Sequence, residues 1–263
     1  MSIRKTVVAG SFYPDTKNEI NEYINQFNKV KDNSETFKNI RAIISPHAGY
    51  IFSGFTANLA YKKASENEFK RIVIIGPSHR VYLKGASIAL YDEYETPLGN
   101  IDMDLDFSNS LKDKFDFLDF NIECEFEHST ETQAPFIKNY FPNSKIVEIV
   151  YGDCSYEDIE KLVDEVLKDK DNFVVISTDL SHFHNQEEAK LLDNICIEAI
   201  DKMDMNKFEK CEACGKIGVM AIVKFAIKNG LDTKVLHYCT SADVTKDKNR
   251  VVGYTSALIG EQE

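Results

Sequence analysis

Three histidines follow apolar, β-branched segments at the points where those segments run into turns. They are His47 in Ser-Pro-His-Ala-Gly-Tyr, His79 in Gly-Pro-Ser-His and His182 in Asp-Leu-Ser-His. Imidazole nitrogens bind transition metals and exchange protons near neutral pH. Loops that leave the carboxyl ends of parallel strands share one edge of a sheet, where ligands bind. The sequence therefore predicts a metal or acid–base site at that edge.

Asp179 precedes His182 by three residues, a spacing that places both side chains on one side of a turn or helix. A carboxylate in that position accepts the second N–H of an imidazole and so orients the ring or raises its basicity. The alternative is that an Asp or Ser of this segment caps the helix that begins near Asn185.

The metal interpretation starts from His47 and His79, which two similar strand–Pro–His turns place at the predicted edge. Two histidines and one carboxylate with open positions suit Fe(II), although imidazoles also bind zinc and copper. The third ligand is left open by the sequence. Its candidates are polar residues near the same edge, namely Asp179, His182, Glu131, Asp243 and Cys239.

Two of those candidates have simpler alternatives. Glu131 lies with His128 in the polar segment Glu-His-Ser-Thr-Glu, where we expect a helix with Ser129 as its N-cap, facing the same crevice. In that position an acidic residue is favoured by the helix dipole alone. Cys239 follows a late strand, where a cysteine is more often a small buried side chain than a ligand.

The elements that must position these residues alternate between strand and helix along the chain. Short apolar runs at about 41–45, 71–75 and 173–177 read as buried strands, and each precedes one of the three histidines. Amphipathic helical segments separate them, and a further strand is expected at 86–91. The pattern predicts a single α/β domain over 1–263, with a central mixed, largely parallel sheet flanked by helices.

Composition excludes several classes of function. The net charge of −12 disfavours a nucleic-acid-binding surface, and no apolar stretch is long enough to predict a membrane span. We expect no signal peptide, and we expect the six unevenly spaced cysteines to be free thiols in a reducing compartment. The single Cys-x-x-Cys, at 211–214, is expected to hold buried thiols. A cytoplasmic location follows as a prediction.

The spaced motifs resemble those of the Memo-like family, whose prokaryotic members are also called AmmeMemoRadiSam system protein B. The motifs lie at 9–14 (Ala-Gly-Ser-Phe-Tyr-Pro), 45–50, 76–79, 95–99, 127–133 and 179–182. The resemblance implies a fold similar to that of class III extradiol dioxygenases, in which two His and a Glu hold Fe(II) and another His is the acid–base. It also implies a functional link to a radical SAM protein.

The resemblance assigns roles residue by residue. His47 and His79 match the metal-site histidines, and His182 matches the acid–base histidine, with Asp179 beside it. In the animal member a late-loop cysteine completes the site. Aligning the segment Tyr-Cys-Thr-Ser-Ala-Asp-Val with that loop places Asp243 or Val244 at the position of the cysteine, so Asp243 is the predicted third ligand.

Two functions of different classes follow. The first is a non-haem Fe(II) protein with redox or dioxygenase-type activity on a small oxidisable substrate, with zinc or copper as alternative metals. The second is a non-enzymatic module that binds a peptide or partner protein in the same crevice.

Overall fold

A nine-stranded mixed sheet organises the chain, and a separate three-stranded sheet lies beside it. The computed structural model describes residues 1–30 and 37–262. The strands are β1 (Ile3–Arg4), β2 (Phe37–Ser45), β3 (Arg71–Pro77), β4 (Ala86–Ile88), β5 (Glu93–Tyr94), β6 (Ile101–Asp102), β7 (Leu118–Asp119), β8 (Lys145–Tyr151), β9 (Asn172–Ser177), β10 (His182–His184), β11 (Asp232–Thr240) and β12 (Val251–Gln262). The α-helices are α1 (Lys17–Phe27), α2 (Phe55–Ala64), α3 (Leu105–Lys114), α4 (His128–Glu131), α5 (Ala134–Tyr140), α6 (Tyr156–Val166), α7 (Gln186–Asp201), α8 (Lys216–Asn229) and α9 (Ala242–Thr245).

Four parallel strands form the middle of the large sheet, in the order β2, β9, β3, β8. Ile44 of β2 and Ile75 of β3 both pair with Ile176 of β9, so the three strands end at nearly the same level. Antiparallel strands complete the sheet on both sides, with β12 next to β2 and β4 next to β8. The carboxyl ends of the central strands therefore share one edge.

Helices pack on both faces of this sheet. Alternate residues of its central strands point to opposite faces, so each strand contributes apolar side chains to two cores. Val73 and Ile75 of β3 pack in a core formed with α6, α7 and α8. Ile72 and Ile74 of the same strand pack in a second core with α1, α2 and α5. Strands buried on both faces read as continuous apolar runs, as the sequence shows. The α/β architecture with a mixed sheet flanked by helices is confirmed.

Local boundaries differ from the predictions where side chains rather than periodicity decide them. Glu127, not Ser129, is the N-cap of α4, because its carboxylate accepts the backbone N–H groups of His128 and Ser129. The expected single helix is divided into α4 and α5 around Gln133, with a proline in the first turn of α5. The strand expected at 86–91 is reduced to the three residues of β4.

One prediction about the cysteines is wrong. Cys196 of α7 is joined to Cys211 by a disulfide, across a Cα separation of 4.8 Å. Cys124, Cys154, Cys214 and Cys239 are free. The expectation of six free thiols came from uneven spacing in the sequence, which carries no information on which helices the fold brings together. Among the described residues no helix is both long and apolar enough to span a membrane.

Candidate metal centre

Three imidazoles meet at the carboxyl edge of the central strands. One potential ligand atom from each of His47, His79 and His128 lies within 4.8 Å of the others. The ring centroids are 5.1 Å apart for His47 and His79, 5.4 Å for His47 and His128, and 4.7 Å for His79 and His128. Within residues 1–30 and 37–262 no other group of His, Cys, Asp or Glu has this spacing. We call these three residues the histidine triad.

Three separate elements deliver the triad. His47 follows the end of β2, His79 follows the end of β3, and His128 is the first residue of α4. Gly76, near the end of β3, admits the segment that carries His128, since a Cβ there would lie 2.7 Å from Ser129 Oγ. The His47 ring is buried, His128 is half-buried, and His79 is open to solvent. The triad is thus closed on its inner side and accessible at His79.

Glu127 anchors two members of the triad. Its Oε1 accepts a hydrogen bond from His79 Nδ1 at 3.1 Å, and its Oε2 accepts the backbone N–H of His79. Burial alone would raise the pKa of this carboxyl, but the close His128 imidazole and hydrogen bonds from His79 and the backbone hold its pKa well below the usual range. Because an ionised carboxylate only accepts, His79 Nδ1 carries the proton and Nε2 keeps its lone pair.

A hydroxyl fixes the His47 ring in the same way. Ser177 Oγ donates to the Ser129 carbonyl at 2.6 Å, so its single proton is used there. The 2.7 Å contact between His47 Nδ1 and Ser177 Oγ therefore has the imidazole as donor, which leaves Nε2 as the basic nitrogen. Burial, and then the neighbouring His79 and His128, lower the pKa of His47 well below its usual value. A neutral imidazole with a free Nε2 is the form that binds metals.

His128 completes the triad with a polar atom that has no hydrogen-bond partner. Its Nδ1 is buried, and although it lies 2.9 Å from Glu127 Oε1, the two groups do not have the alignment of a hydrogen bond. The ring of Phe12 packs against it, with centroids 4.7 Å apart. A buried imidazole nitrogen without a hydrogen bond is costly unless a further group satisfies it. The donor set and this unsatisfied atom fit a bound transition metal ion.

Cys214 adds a fourth potential donor. Its Sγ lies 3.3 Å from His47 Nε2 and also accepts the backbone N–H of Asp179 at 3.2 Å. Burial, and then the nearby Asp179 charge, raise the pKa of the thiol to about 12. The free protein therefore holds a thiol here, and a metal ion that binds the sulfur must displace its proton.

The sequence prediction treated Cys214 as an ordinary buried thiol and missed its position. The sequence feature that could have indicated this position is the glycine that follows Cys214. A Cβ on Gly215 would lie 2.5 Å from the Ser177 carbonyl oxygen and 2.5 Å from Thr178 Cβ, so only glycine lets this segment approach the end of β9.

Asp179 and His182 lie beside the triad. Asp179 Oδ1 accepts the backbone N–H of His47 at 2.8 Å, and Oδ2 is 3.9 Å from His47 Nε2. Burial raises the pKa of Asp179. His182 is close enough for its charge to influence the pKa of both Asp179 and His47. Within the described part of the chain no direct hydrogen bond joins Asp179 to His182, so the orienting role of Asp179 toward His182 stays a prediction.

The other predicted ligands are placed away from the triad. Asp243 is exposed, and its Oδ2 accepts the backbone N–H of Thr240 at 2.7 Å. Cys239 Sγ contacts Thr56 Oγ1 at 3.2 Å. Glu131 is fully buried and forms an ion pair with Arg4 at 2.9 Å. The member of the predicted crevice that does join His47 and His79 is His128.

Open clefts give access to the triad on the His79 side. One, of ≈ 420 Å³, is lined by His79 and Cys214 among others, with Tyr151 and Ile217 on its walls. A wider one, of ≈ 740 Å³, lies between the His79 segment and Phe126. Both volumes are within the usual range for sites that hold small molecules.

Comparison with known proteins identifies relatives that match along nearly the whole chain. The model of the Memo family, described as Memo-like protein, matches residues 4–258. A MEMO1 family protein from Nitrosopumilus maritimus is 35% identical, with 96% of this chain and 98% of the relative covered. Others from Methanobrevibacter smithii and Methanococcus maripaludis are 33% and 36% identical, with 97% of this chain and 99% of each relative covered.

Proposed function

Because the chain belongs to the Memo-like protein family, we propose that it is a mononuclear non-haem metal protein that binds Fe(II) at the histidine triad. The observation that carries this proposal is the convergence of His47, His79 and His128 within 4.8 Å, with oxygen partners that free Nε2 on two of the rings. Cys214 is the fourth potential ligand. Ferrous iron would supply one-electron redox chemistry toward a small oxidisable substrate, such as a phenol.

The chain's own residues have distinct tasks in this proposal. Glu127 and Ser177 orient His79 and His47, so the ligand nitrogens are in place before the metal arrives. Asp179 and His182, beside the triad, exchange protons with the substrate. Substrate enters from the open clefts at His79. We place this activity in the cytoplasm, in functional connection with a radical SAM protein.

Anaerobic calorimetry with Fe(II) tests the proposal. We expect about one ion per chain for the unaltered protein, and loss of binding in the His47→Ala/His79→Ala double variant, since three convergent ligands are reduced to one. Competition with Zn²⁺ and copper identifies the preferred metal.

Two control variants separate the triad from other polar residues. His237→Ala removes a histidine whose Nδ1 contacts Thr56 Oγ1 at 2.9 Å, outside the triad. Asp243→Ala removes the ligand predicted from the sequence. Both should bind Fe(II) as the unaltered protein does. Equal binding by the His47/His79 double variant would refute the metal centre, and loss of binding in Asp243→Ala would return Asp243 to the ligand set.

The alternative function, a module that binds a peptide or protein, draws on exposed aromatic side chains beside the same clefts. Tyr82 is 86% exposed and Phe126 is 56% exposed. Solvent-exposed aromatic residues at a cleft are typical of surfaces that bind partners. This function predicts partner binding that a metal chelator leaves unchanged, whereas the metal-dependent function predicts that a chelator abolishes activity.

A further inference from the structure

A covalent cross-link lies three residues from the candidate ligand Cys214. Cys211 forms a disulfide with Cys196, which is fully buried in α7. Both cysteines belong to the core that packs α6, α7 and α8 against the sheet. Residues 211–215, which we call the Cys214 loop, run from this disulfide to the start of α8.

The far end of the Cys214 loop is held by the edge of the sheet. The backbone N–H of Cys214 donates to the Asp179 carbonyl at 3.2 Å, and that of Gly215 donates to Thr178 Oγ1 at 2.9 Å. These bonds define where Cys214 Sγ lies relative to His47.

The near end of the Cys214 loop depends on the disulfide. Besides it, Cys211 N–H donates to Phe208 O at 3.2 Å, and Glu212 pairs with His184 at 3.0 Å. The side chains of that ion pair are 50% and 28% exposed, so solvent screens it and it contributes little. The Cys196–Cys211 bond is the covalent restraint that joins the start of the loop to α7, in addition to the burial of Cys211 in the core.

We propose that the Cys196–Cys211 disulfide is a redox-sensitive clamp that positions Cys214 to bind the metal ion. The proposal rests on the proposed metal centre. A cross-link removes conformations from the segments that it joins, and a ligand that is already ordered loses less entropy on binding. Disulfides are rare in the cytoplasm and there they are usually transient or redox-sensing, which suits a clamp of this kind.

Opening the clamp is a two-electron reduction. A dithiol reductant transfers two electrons and two protons to the S–S bond, which breaks to give the Cys196 and Cys211 thiols. The dithiol becomes a cyclic disulfide. In the reduced protein the hydrogen bonds to the sheet edge hold Cys214 without the covalent restraint upstream. The loop therefore samples more conformations, its ordering on metal binding costs more entropy, and metal affinity decreases.

Anaerobic titration with Co(II) tests the clamp, because thiolate-to-cobalt charge-transfer absorption reports specifically on the sulfur ligand. The oxidised protein, which should have four free thiols, is compared with protein reduced by dithiothreitol and then freed of it. We expect reduction to weaken Co(II) binding about tenfold, a magnitude typical of losing a residue that supports a ligand. We also expect a weaker charge-transfer band.

The Cys196→Ser/Cys211→Ser variant serves as the matched control. It should bind Co(II) like the reduced protein and show no response to dithiothreitol. Equal affinity and equal band intensity in the oxidised and reduced unaltered protein would overturn the clamp, as would six titratable thiols before reduction. If neither redox form bound Co(II), the metal centre itself would be refuted. The two unaltered-protein samples decide the question even if the double variant fails to fold.

Discussion

Glu127 and Glu131 lie four residues apart at the two ends of α4, and both carboxylates are buried. Glu127 faces the histidine triad, where it holds His79 and caps the helix. Glu131 faces the opposite way, into an ion pair with Arg4. Two identical side chains on one short segment thus have different tasks. Glu131 is paired with Arg4, a permanent cation of the same chain. Within the part of the chain that the structure describes, Glu127 has only imidazoles and backbone N–H groups as partners.

Around Glu131 the charge is compensated from within the fold. Its carboxylate also accepts the Tyr13 hydroxyl at 2.8 Å and the backbone N–H groups of Val7 and Val8 at 2.9 and 2.8 Å. Arg4 also forms an ion pair with Glu148 and donates a hydrogen bond to the Glu127 carbonyl oxygen. This network attaches the N-terminal segment to α4. At Glu127, by contrast, the partners are imidazoles and backbone amides, and no Lys or Arg side chain among the described residues forms an ion pair with its carboxylate.

The largest expected effect is on stability, in the Glu131→Ala variant. Removal of this carboxylate leaves Arg4 with less charge compensation in the core and frees several buried donors. We expect the free energy of unfolding to fall by about 3–5 kcal/mol, as for other broken buried ion pairs. Urea unfolding followed by circular dichroism measures the change.

Glu165→Ala is the control for that experiment, because Glu165 pairs with Lys114 and Lys168 at the surface. Its loss should cost less than about 1 kcal/mol. If Glu131→Ala were as mild as Glu165→Ala, the Arg4 network would not be a structural anchor.

A smaller effect on stability and a larger one on metal binding are expected in Glu127→Gln. The glutamine amide has the size of the carboxylate but carries no charge. Only one of its two polar atoms can accept hydrogen bonds, so it cannot bond to His79 and the helix N-terminus as the carboxylate does. Changes to residues that orient metal ligands typically weaken binding about 10–100-fold. Loss of the charged helix cap should cost about 1 kcal/mol of stability. Fe(II) calorimetry and urea unfolding on the same sample give both quantities.

The distinct roles of the two glutamates would be refuted if the effects on stability and on metal binding were exchanged between the two variants. A Glu127→Gln protein that unfolds easily but binds Fe(II) normally would make Glu127 a structural residue. A stable Glu131→Ala protein that has lost Fe(II) binding would extend the metal centre to the Arg4 network.

The fold was predictable because its central strands are buried on both faces. The apolar runs at β3 and β9 are local features of the sequence, and so is the alternation with helices. The two-residue strands β1, β5 and β6 were not predicted. They exist through pairing with each other, β1 with the distant β5 and β5 with the nearby β6, and two-residue segments carry no periodic signal.

The site was predictable only where one local rule sufficed. His47 and His79 come directly after predicted strands, so the predicted strand ends were enough to place them at the sheet edge. His128 was expected in the crevice without a ligand role, because its distance from the other two depends on how α4 packs. Cys214 precedes a helix, not a strand end, and the approach of its loop to β9 is a property of tertiary packing. Asp243 was chosen by alignment of a late loop, where its side chain accepts the backbone N–H of Thr240, and its ligand role stays a prediction.

The histidine triad as a metal centre is tested most directly by diffraction from crystals grown with Fe(II) under anaerobic conditions, with data collected on both sides of the iron absorption edge. We predict a single anomalous peak between His47, His79 and His128, on the side where Cys214 Sγ faces His47. A protein that takes up iron but shows its anomalous peak elsewhere, or shows none at the triad, would contradict the proposed metal centre.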